Sequence, residues 1–236
     1  MRETNFIYYH DAKELSGFLA YKEDVSTPRP AVLVASDWTG RGEFSCQRAR
    51  MLAEMGYVGF ALDVYGKARL GVTNEEKRAL MNPLMEDRSM LRERMQVAYE
   101  TVKAMPTVDS ARIAVIGFCF GGLCALDLAR SGVNIKGAVS IHGLLNSPDN
   151  LPLEQIRAKV LVLHGYDDPM VQPEQVQAFC QEMTKEKVDW QVHMYGHVKH
   201  AFTNPQAHDT ELGLIFNEAA AQRSWQATSN FLKEIF

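Results

Sequence analysis

The sequence predicts one α/β domain over residues 1–236: a mostly parallel sheet with an antiparallel N-terminal hairpin and helices on both faces. Three observations carry the expectation. Runs such as Ala31-Val32-Leu33-Val34-Ala35 and Ile113-Ala114-Val115-Ile116 have the continuous apolar character of strands buried on both sides. Helical patterns alternate with these runs along the chain, which implies parallel crossovers. One strand runs straight into Gly117-Phe118-Cys119-Phe120-Gly121-Gly122 and then into the helix formers of residues 123–130, a strand, a sharp turn and a helix with a nucleophile at the apex.

Taken in order, residues 6–10 and 15–21 read as two strands around a polar turn at 11–14. Pro28 and Pro30 break the chain before the strand at 31–35. That strand ends in Ser36-Asp37-Trp38-Thr39-Gly40, at the strand end where open α/β sheets place ligands. A helix is expected over 45–55, with Gly56 as its stop. Residues 57–63 read as the next strand. Residues 67–81 are polar and partly helical. Asn82-Pro83 carries an N-cap and first-turn signal. Leu91, Met95, Ala98, Val102 and Met105 then recur at alternating four- and three-residue steps, one face of an amphipathic helix. Pro106 and a turn at Val108-Asp109 end it. Beyond the apex helix, which stops near Gly132, strands are expected at 135–141 and 159–164 and a helix at 173–183. An outer strand at 188–195, a loop at 196–205 and a closing helix at 218–236 complete the chain.

Composition excludes several classes. A net charge of -4 gives no case for a nucleic-acid or membrane surface. No apolar run is long enough to span a bilayer, and the first five residues lack a signal-peptide core, so a cytoplasmic location is expected. Cys46, Cys119, Cys124 and Cys180 are expected as reduced thiols, and no paired cysteine motif points to zinc. His193, His197 and His200 lie close in sequence, but Gly196 and the change from strand to loop break any helical ligand face. Neither a metal nor a cofactor is expected. The expected partner is a small molecule, for a monomer or small homo-oligomer.

The apex suits acyl-transfer chemistry. The G-x-C-x-G pattern is the cysteine form of a nucleophile elbow, and its glycines relieve clashes where strand and helix meet. Gly122 lets the helix approach the sheet. Cys119 stands at a helix N-terminus, where the partial positive charge favours a thiolate. A nucleophile needs a base, and the base an orienting group. Asp168 and His200 follow on later strand-end loops, in the chain order of the α/β-hydrolases. Asp167 competes as the acid, since either aspartate could cap the following turn. His193 and His197 compete as the base, while His142 and His164 read as structural or pocket residues. Cys124, Cys46 and Cys180 read as helix or core residues. Arg88, Arg92 and Arg94, set among acidic neighbours, read as a solvated helix face.

Three segments together resemble the dienelactone hydrolase family: the elbow at 117–122, His164-Gly165-Tyr166-Asp167-Asp168-Pro169-Met170-Val171, and His200-Ala201-Phe202. Leu62-Asp63-Val64-Tyr65-Gly66 also resembles a strand-end motif of that family. The resemblance covers roughly the whole chain. It implies a carboxymethylenebutenolidase-like ester hydrolase with Cys119 as nucleophile, His200 as base and Asp168, rather than Asp167, as the orienting acid. It also implies an oxyanion hole from the backbone N–H groups of Trp38 and Phe120.

Two positions depart from the enzyme that gives the family its name. Asp37 stands where that enzyme has a glutamate controlling the cysteine, and Asn204 where it has an arginine for the substrate carboxylate. By spacing, Arg78 falls near a second such arginine. Another small ester or lactone is therefore expected rather than dienelactone itself. Tyr65 and Phe202 stand as pocket candidates, with core packing as the rival. The alternatives for function are thioesterase or acyltransferase chemistry on the same triad, and a non-hydrolytic binding or thiol-redox protein.

Overall fold

The computed structural model describes residues 1–23, 27–149, 151–152 and 154–236. Its frame is an eight-stranded sheet in the order β1-β2-β4-β3-β5-β6-β7-β8. The hairpin strands β1 (Arg2–His10) and β2 (Lys13–Tyr21) pair antiparallel from Arg2 opposite Tyr21 to His10 opposite Lys13. Both strands are longer than the sequence suggested, and the turn shrinks to two residues, with Asp11 at a positive φ of 51°. β2 is also antiparallel to β4 (Val58–Ala61). From β4 onward, β3 (Arg29–Ala35), β5 (Val108–Phe118), β6 (Gly137–Ile141), β7 (Lys159–Gly165) and β8 (Trp190–Tyr195) run parallel.

Alternation along the buried strands feeds two cores. On one face Leu33 and Val115 meet α3 (Arg88–Lys103), α4 (Phe120–Arg130) and α5 (Pro173–Lys185). On the other, Val32, Val34 and Ile116 meet α1 (Glu43–Glu54) and α6 (Glu218–Ile235). The predicted face of α3 is correct: Leu91, Met95, Ala98 and Val102 are fully buried. No helix among the described residues is long and apolar enough to cross a membrane.

Three local expectations need correction. Pro83 does not open a helix; it lies inside α2 (Asn74–Glu86). The start is set earlier by a capping box, in which Thr73 Oγ1 accepts from Glu76 N at 3.2 Å and Glu76 Oε2 accepts from Thr73 N at 3.1 Å. Asp87 supplies the cap expected of Asn82, its Oδ1 accepting from Met90 N at 2.9 Å to begin α3. Val108-Asp109 belongs to β5, where the register against β3 shifts; Asp109 Oδ1 takes the Ala111 N–H at 3.0 Å, so turn-like bonding sits within a strand. A further pair, β9 (His208–Asp209) and β10 (Leu214–Ile215), was not expected.

Two of the three α3 arginines expected on a solvated face are not there; Arg92 is half-buried and donates to Pro152 O at 3.0 Å. Arg88 and Arg94 are buried. Arg88 forms a two-pronged pair with Asp127 of α4, at 2.7 Å for each bond. Arg94 Nη1 donates to Val64 O at 2.6 Å.

Strand order reverses around β3 and β5, so the loops after them diverge and leave a crevice at the sheet's C-terminal edge. The elbow is built tightly into that edge. A Cβ on Gly117 would run into the Gly121 carbonyl, and one on Gly122 would come within 2.6 Å of Ser140 Oγ and 2.7 Å of Gly143 Cα. The expectation that Gly122 permits close approach is thereby explained. Gly117→Ala is expected to destabilise the fold by about 2 kcal/mol or more through overpacking. Urea unfolding checks this, and a stability equal to the parent would refute the packing argument.

Candidate active site

Cys119 occupies the apex between β5 and α4 with φ 54° and ψ -118°, a backbone conformation strained for a residue with a side chain. Its N–H is shared between Ile141 O at 3.0 Å and His142 Nδ1 at 3.1 Å, and its carbonyl accepts from Gly122 N at 2.9 Å. The thiol is therefore lifted clear of the strand while the backbone beneath it is bonded on both sides. Cys119 is half-buried, whereas Cys124 lies in the core. Burial pushes the Cys124 thiol well up, which keeps it protonated.

The loop after β7 supplies Asp168 and the loop after β8 supplies His200. Both side chains are fully buried, and His200 Nδ1 lies 2.7 Å from Asp168 Oδ2. The other Asp168 oxygen accepts from Met170 N at 2.8 Å, which leaves the carboxylate fixed in direction. Asp167 points elsewhere, toward the fully exposed His197 at 3.8 Å. His193 is exposed on β8. Of the competing acids and bases, only Asp168 and His200 are brought together at the elbow.

His200 Nε2 is buried with no hydrogen-bond partner. Burial by itself would lower the pKa of this ring. The negative charge of Cys119, followed by the bond to Asp168, outweighs it and pushes His200 up to about 10. The arrangement can hold a thiolate beside an imidazolium and can pass a proton through Nε2.

Above Cys119 opens a cavity of about 890 Å³. Asp37, Trp38 and Phe120 line it, as do Lys77 and Arg78 from α2 and Asn204 from the loop of His200. Lys77 Nζ stands 5.3 Å from the Trp38 ring centre and Arg78 Cζ 6.0 Å from it. Asp37 Oδ1 accepts from Thr39 N at 2.8 Å. Burial raises its carboxyl pKa, opposed by the Thr39 hydrogen bonds and by the charges of Lys77 and His200. Asn204 Oδ1 accepts from Gln206 N at 2.9 Å, so part of its side chain shapes its own loop.

Two pocket candidates lie beneath the cavity instead. Tyr65 is buried, stacks on Phe120 with ring centres 6.2 Å apart, and donates to Trp38 O at 3.0 Å. Phe202 is fully buried, edge-on to His142 at 5.0 Å. Each supports a lining residue rather than facing the cavity. His142, read from the sequence as a structural or pocket residue, does line the cavity, and so does Lys77 beside the expected Arg78. For Lys77 the signal was its place one residue before Arg78; for His142 it was a histidine ending the strand beside the elbow strand. Among the described residues, no three His, Cys, Asp or Glu side chains are grouped to hold a metal ion.

The family model for dienelactone hydrolases matches residues 15–236. Among solved structures, a dienelactone hydrolase-like promiscuous phosphotriesterase from metagenomic libraries is 36% identical with a TM-score of 0.95, covering 100% of this chain and 98% of that one. A protein of Aquifex aeolicus, provisionally assigned as a carboxymethylenebutenolidase, is 27% identical over 89% of this chain and 91% of its own length. A Klebsiella pneumoniae structure described as a dienelactone hydrolase is 20% identical with a TM-score of 0.79, covering 98% of each chain, and shows the fold alone.

The charge argument has a direct test. His200 is expected to stay protonated at neutral pH and to titrate near pH 10. Cys119→Ala removes the largest raising influence, so the pKa must fall. Imidazole 15N NMR across a pH series follows it, and an unchanged titration in the variant would refute the coupling.

Proposed function

Since the chain belongs to the dienelactone hydrolase family, we propose that it hydrolyses small esters or lactones with Cys119 as nucleophile, His200 as proton carrier and Asp168 as its orienting acid. The observation that carries this reading is the fully buried 2.7 Å bond between Asp168 and His200, with the free Nε2 coupled to Cys119. Ester hydrolysis itself is the activity of the family.

The steps follow from these positions. The Cys119 thiolate adds to the substrate carbonyl and forms the C–S bond. The resulting oxyanion is held by the N–H groups of Trp38 and Phe120, each supplying roughly 3 kcal/mol of transition-state stabilisation. Phe120 is the first residue of α4, so its N–H has no partner within the helix. Trp38 is steadied through Tyr65 at its carbonyl. As the C–O bond breaks, His200 Nε2–H protonates the leaving alkoxide. Water then gives a proton to the neutral ring and attacks the thioester. The C–S bond breaks, the acid leaves, and thiolate and imidazolium are restored. Asp168 holds the ring throughout and balances its charge.

Lys77 and Arg78 face the same cavity from one helix turn. They favour substrates that bear a carboxylate away from the scissile bond, even though Asn204 supplies no charge. Asp37 adds a carboxylate near the reacting pair and tunes it. A second reading uses the same thiolate on phosphorus, and the 36% identity to a promiscuous phosphotriesterase across the whole chain favours testing it.

Cys119→Ala is expected to lower turnover of p-nitrophenyl acetate by roughly 10⁴-fold or more with the fold intact. Steady-state kinetics and circular dichroism check this together, and retained turnover would remove Cys119 from the mechanism. An activated phosphotriester assayed beside the ester tests the second reading, which requires that Cys119→Ala abolish both. Arg78→Ala and Lys77→Ala should each lower kcat/KM for a carboxylate-bearing ester about tenfold, the size of one charge-assisted bond, and spare a neutral ester. Equal effects on both esters would refute anion recognition.

A further inference from the structure

His142 ends the strand next to the elbow strand and has a positive φ of 40°. Its ring is almost fully buried and makes two directed contacts. Nδ1 accepts the Cys119 N–H at 3.1 Å. Nε2 lies 2.8 Å from Thr203 Oγ1. A ring nitrogen that accepts an amide proton must be bare, so the ring is neutral, its proton is on Nε2, and the bond to Thr203 is donated.

Thr203 lies three residues beyond His200. Its carbonyl accepts from Arg48 Nη2 at 3.2 Å. The Arg48 guanidinium is in turn caged by the rings of Phe44, Phe118 and Trp225 at 4.8, 5.6 and 5.5 Å. One flat ring thus spans from the backbone of the nucleophile to a loop anchored on α1. Cys119 leaves β5 and His200 leaves the loop after β8, so β6 and β7 separate the strands that carry them. Adjacent sheet pairing cannot by itself set the distance between two groups borne three strands apart, roughly 14 Å at ordinary strand spacing. His142 rises between them, its ring edge-on to His200 with centres 5.3 Å apart.

We propose that His142 is a positioning residue: a neutral bridge that joins the Cys119 N–H to the Thr203 hydroxyl and so sets the thiolate against the His200 ring. This rests on the assignment of Cys119 and His200 above. The Cys119 N–H keeps its bond to Ile141 O without His142, so the bridge is not needed to satisfy that donor.

The charges around the ring agree with a neutral bridge. Burial first, then the positive charge of His200, holds the pKa of His142 well below the usual histidine range, and Arg48 and His164 act in the same direction. A protonated His142 would lose its acceptor nitrogen and set a second cation against the imidazolium.

The test compares His142→Ala, His142→Asn and Thr203→Val with the parent, using p-nitrophenyl acetate kinetics across pH. In parallel, iodoacetamide labelling of Cys119 is followed by mass spectrometry of its peptide. His142→Ala and Thr203→Val are expected to lower kcat about 30-fold through misalignment, with KM changed less than about threefold. Cys119 labelling at a fixed neutral pH should slow severalfold as the imidazolium moves away. His142→Asn keeps an acceptor for the Cys119 N–H and should recover part of the kcat lost in His142→Ala. Parental kcat and labelling rate in a folded His142→Ala, or a loss confined to KM, overturns the bridge. Should His142→Ala fail to fold, Thr203→Val decides by the same two readings. Cys119→Ala separates the two levels. Activity in that variant overturns the nucleophile and the bridge together. An inactive Cys119→Ala with parental His142→Ala and Thr203→Val overturns the bridge alone.

Discussion

The backbone at Cys119 is the constraint on which the site depends. A residue with a side chain at φ 54° and ψ -118° costs of the order of 1–3 kcal/mol and persists only where its surroundings determine it. Here they do. The Cys119 N–H has two acceptors, its carbonyl has Gly122 N, and the glycines on either side leave no slack between strand and helix. The turn separates two cysteines of one short segment into a group facing the cavity and a group in the core.

Burying charge beside this turn would be unfavourable if each charge stood alone. Asp168 and His200 have no exposed side-chain surface, yet each has a directed partner. A second buried network supports the opposite flank. Asp127 takes both prongs of Arg88, while Arg130 reaches Glu182 at 2.7 Å and the carbonyl of Leu145 at 2.9 Å. Arg88 Nη2 also donates to Asn146 O at 3.3 Å. These bonds tie α3, α4 and α5 to the segment just beyond His142. The helices on this face of the sheet therefore fix the loop that follows β6, and that loop begins with the ring that touches Cys119.

Much of this was legible because it is local. The elbow needs glycine at fixed offsets, buried strands need unbroken β-branched runs, and Asp168 and His200 fall at strand ends in a recognisable order. The misreadings have local and distant causes. The Thr73–Glu76 capping box was present in the sequence and outranked the Asn82-Pro83 signal; α2 carries Pro83 in its interior, where its missing N–H forgoes one helical hydrogen bond. Arg88 and Arg94 were read from their acidic neighbours in sequence, whereas their partners lie 39 and 30 residues away. Tyr65 and Phe202 sit in loops that face the site, but the side chains turn inward. The contact of His142 with Cys119 spans 23 residues, with α4 and β6 between them; the strand-end position marks the histidine as near the site but not its partner.

Chemistry and selectivity also have different physical supports. The reacting groups stand on loops of the sheet's central and later strands, where packing and buried bonds fix them. Lys77, Arg78, Met81 and Asn82 reach the same cavity from α2, a helix with only Leu84 in the core. A substitution on the cavity side of α2 disturbs little that the sheet requires, whereas one at the elbow disturbs both faces of it. Under the proposed function, substrate preference can therefore change while the placement of Cys119, Asp168 and His200 stays. That division is compatible with a chain matched along its length both by a dienelactone hydrolase-like promiscuous phosphotriesterase at 36% identity and by a protein provisionally assigned as a carboxymethylenebutenolidase at 27%.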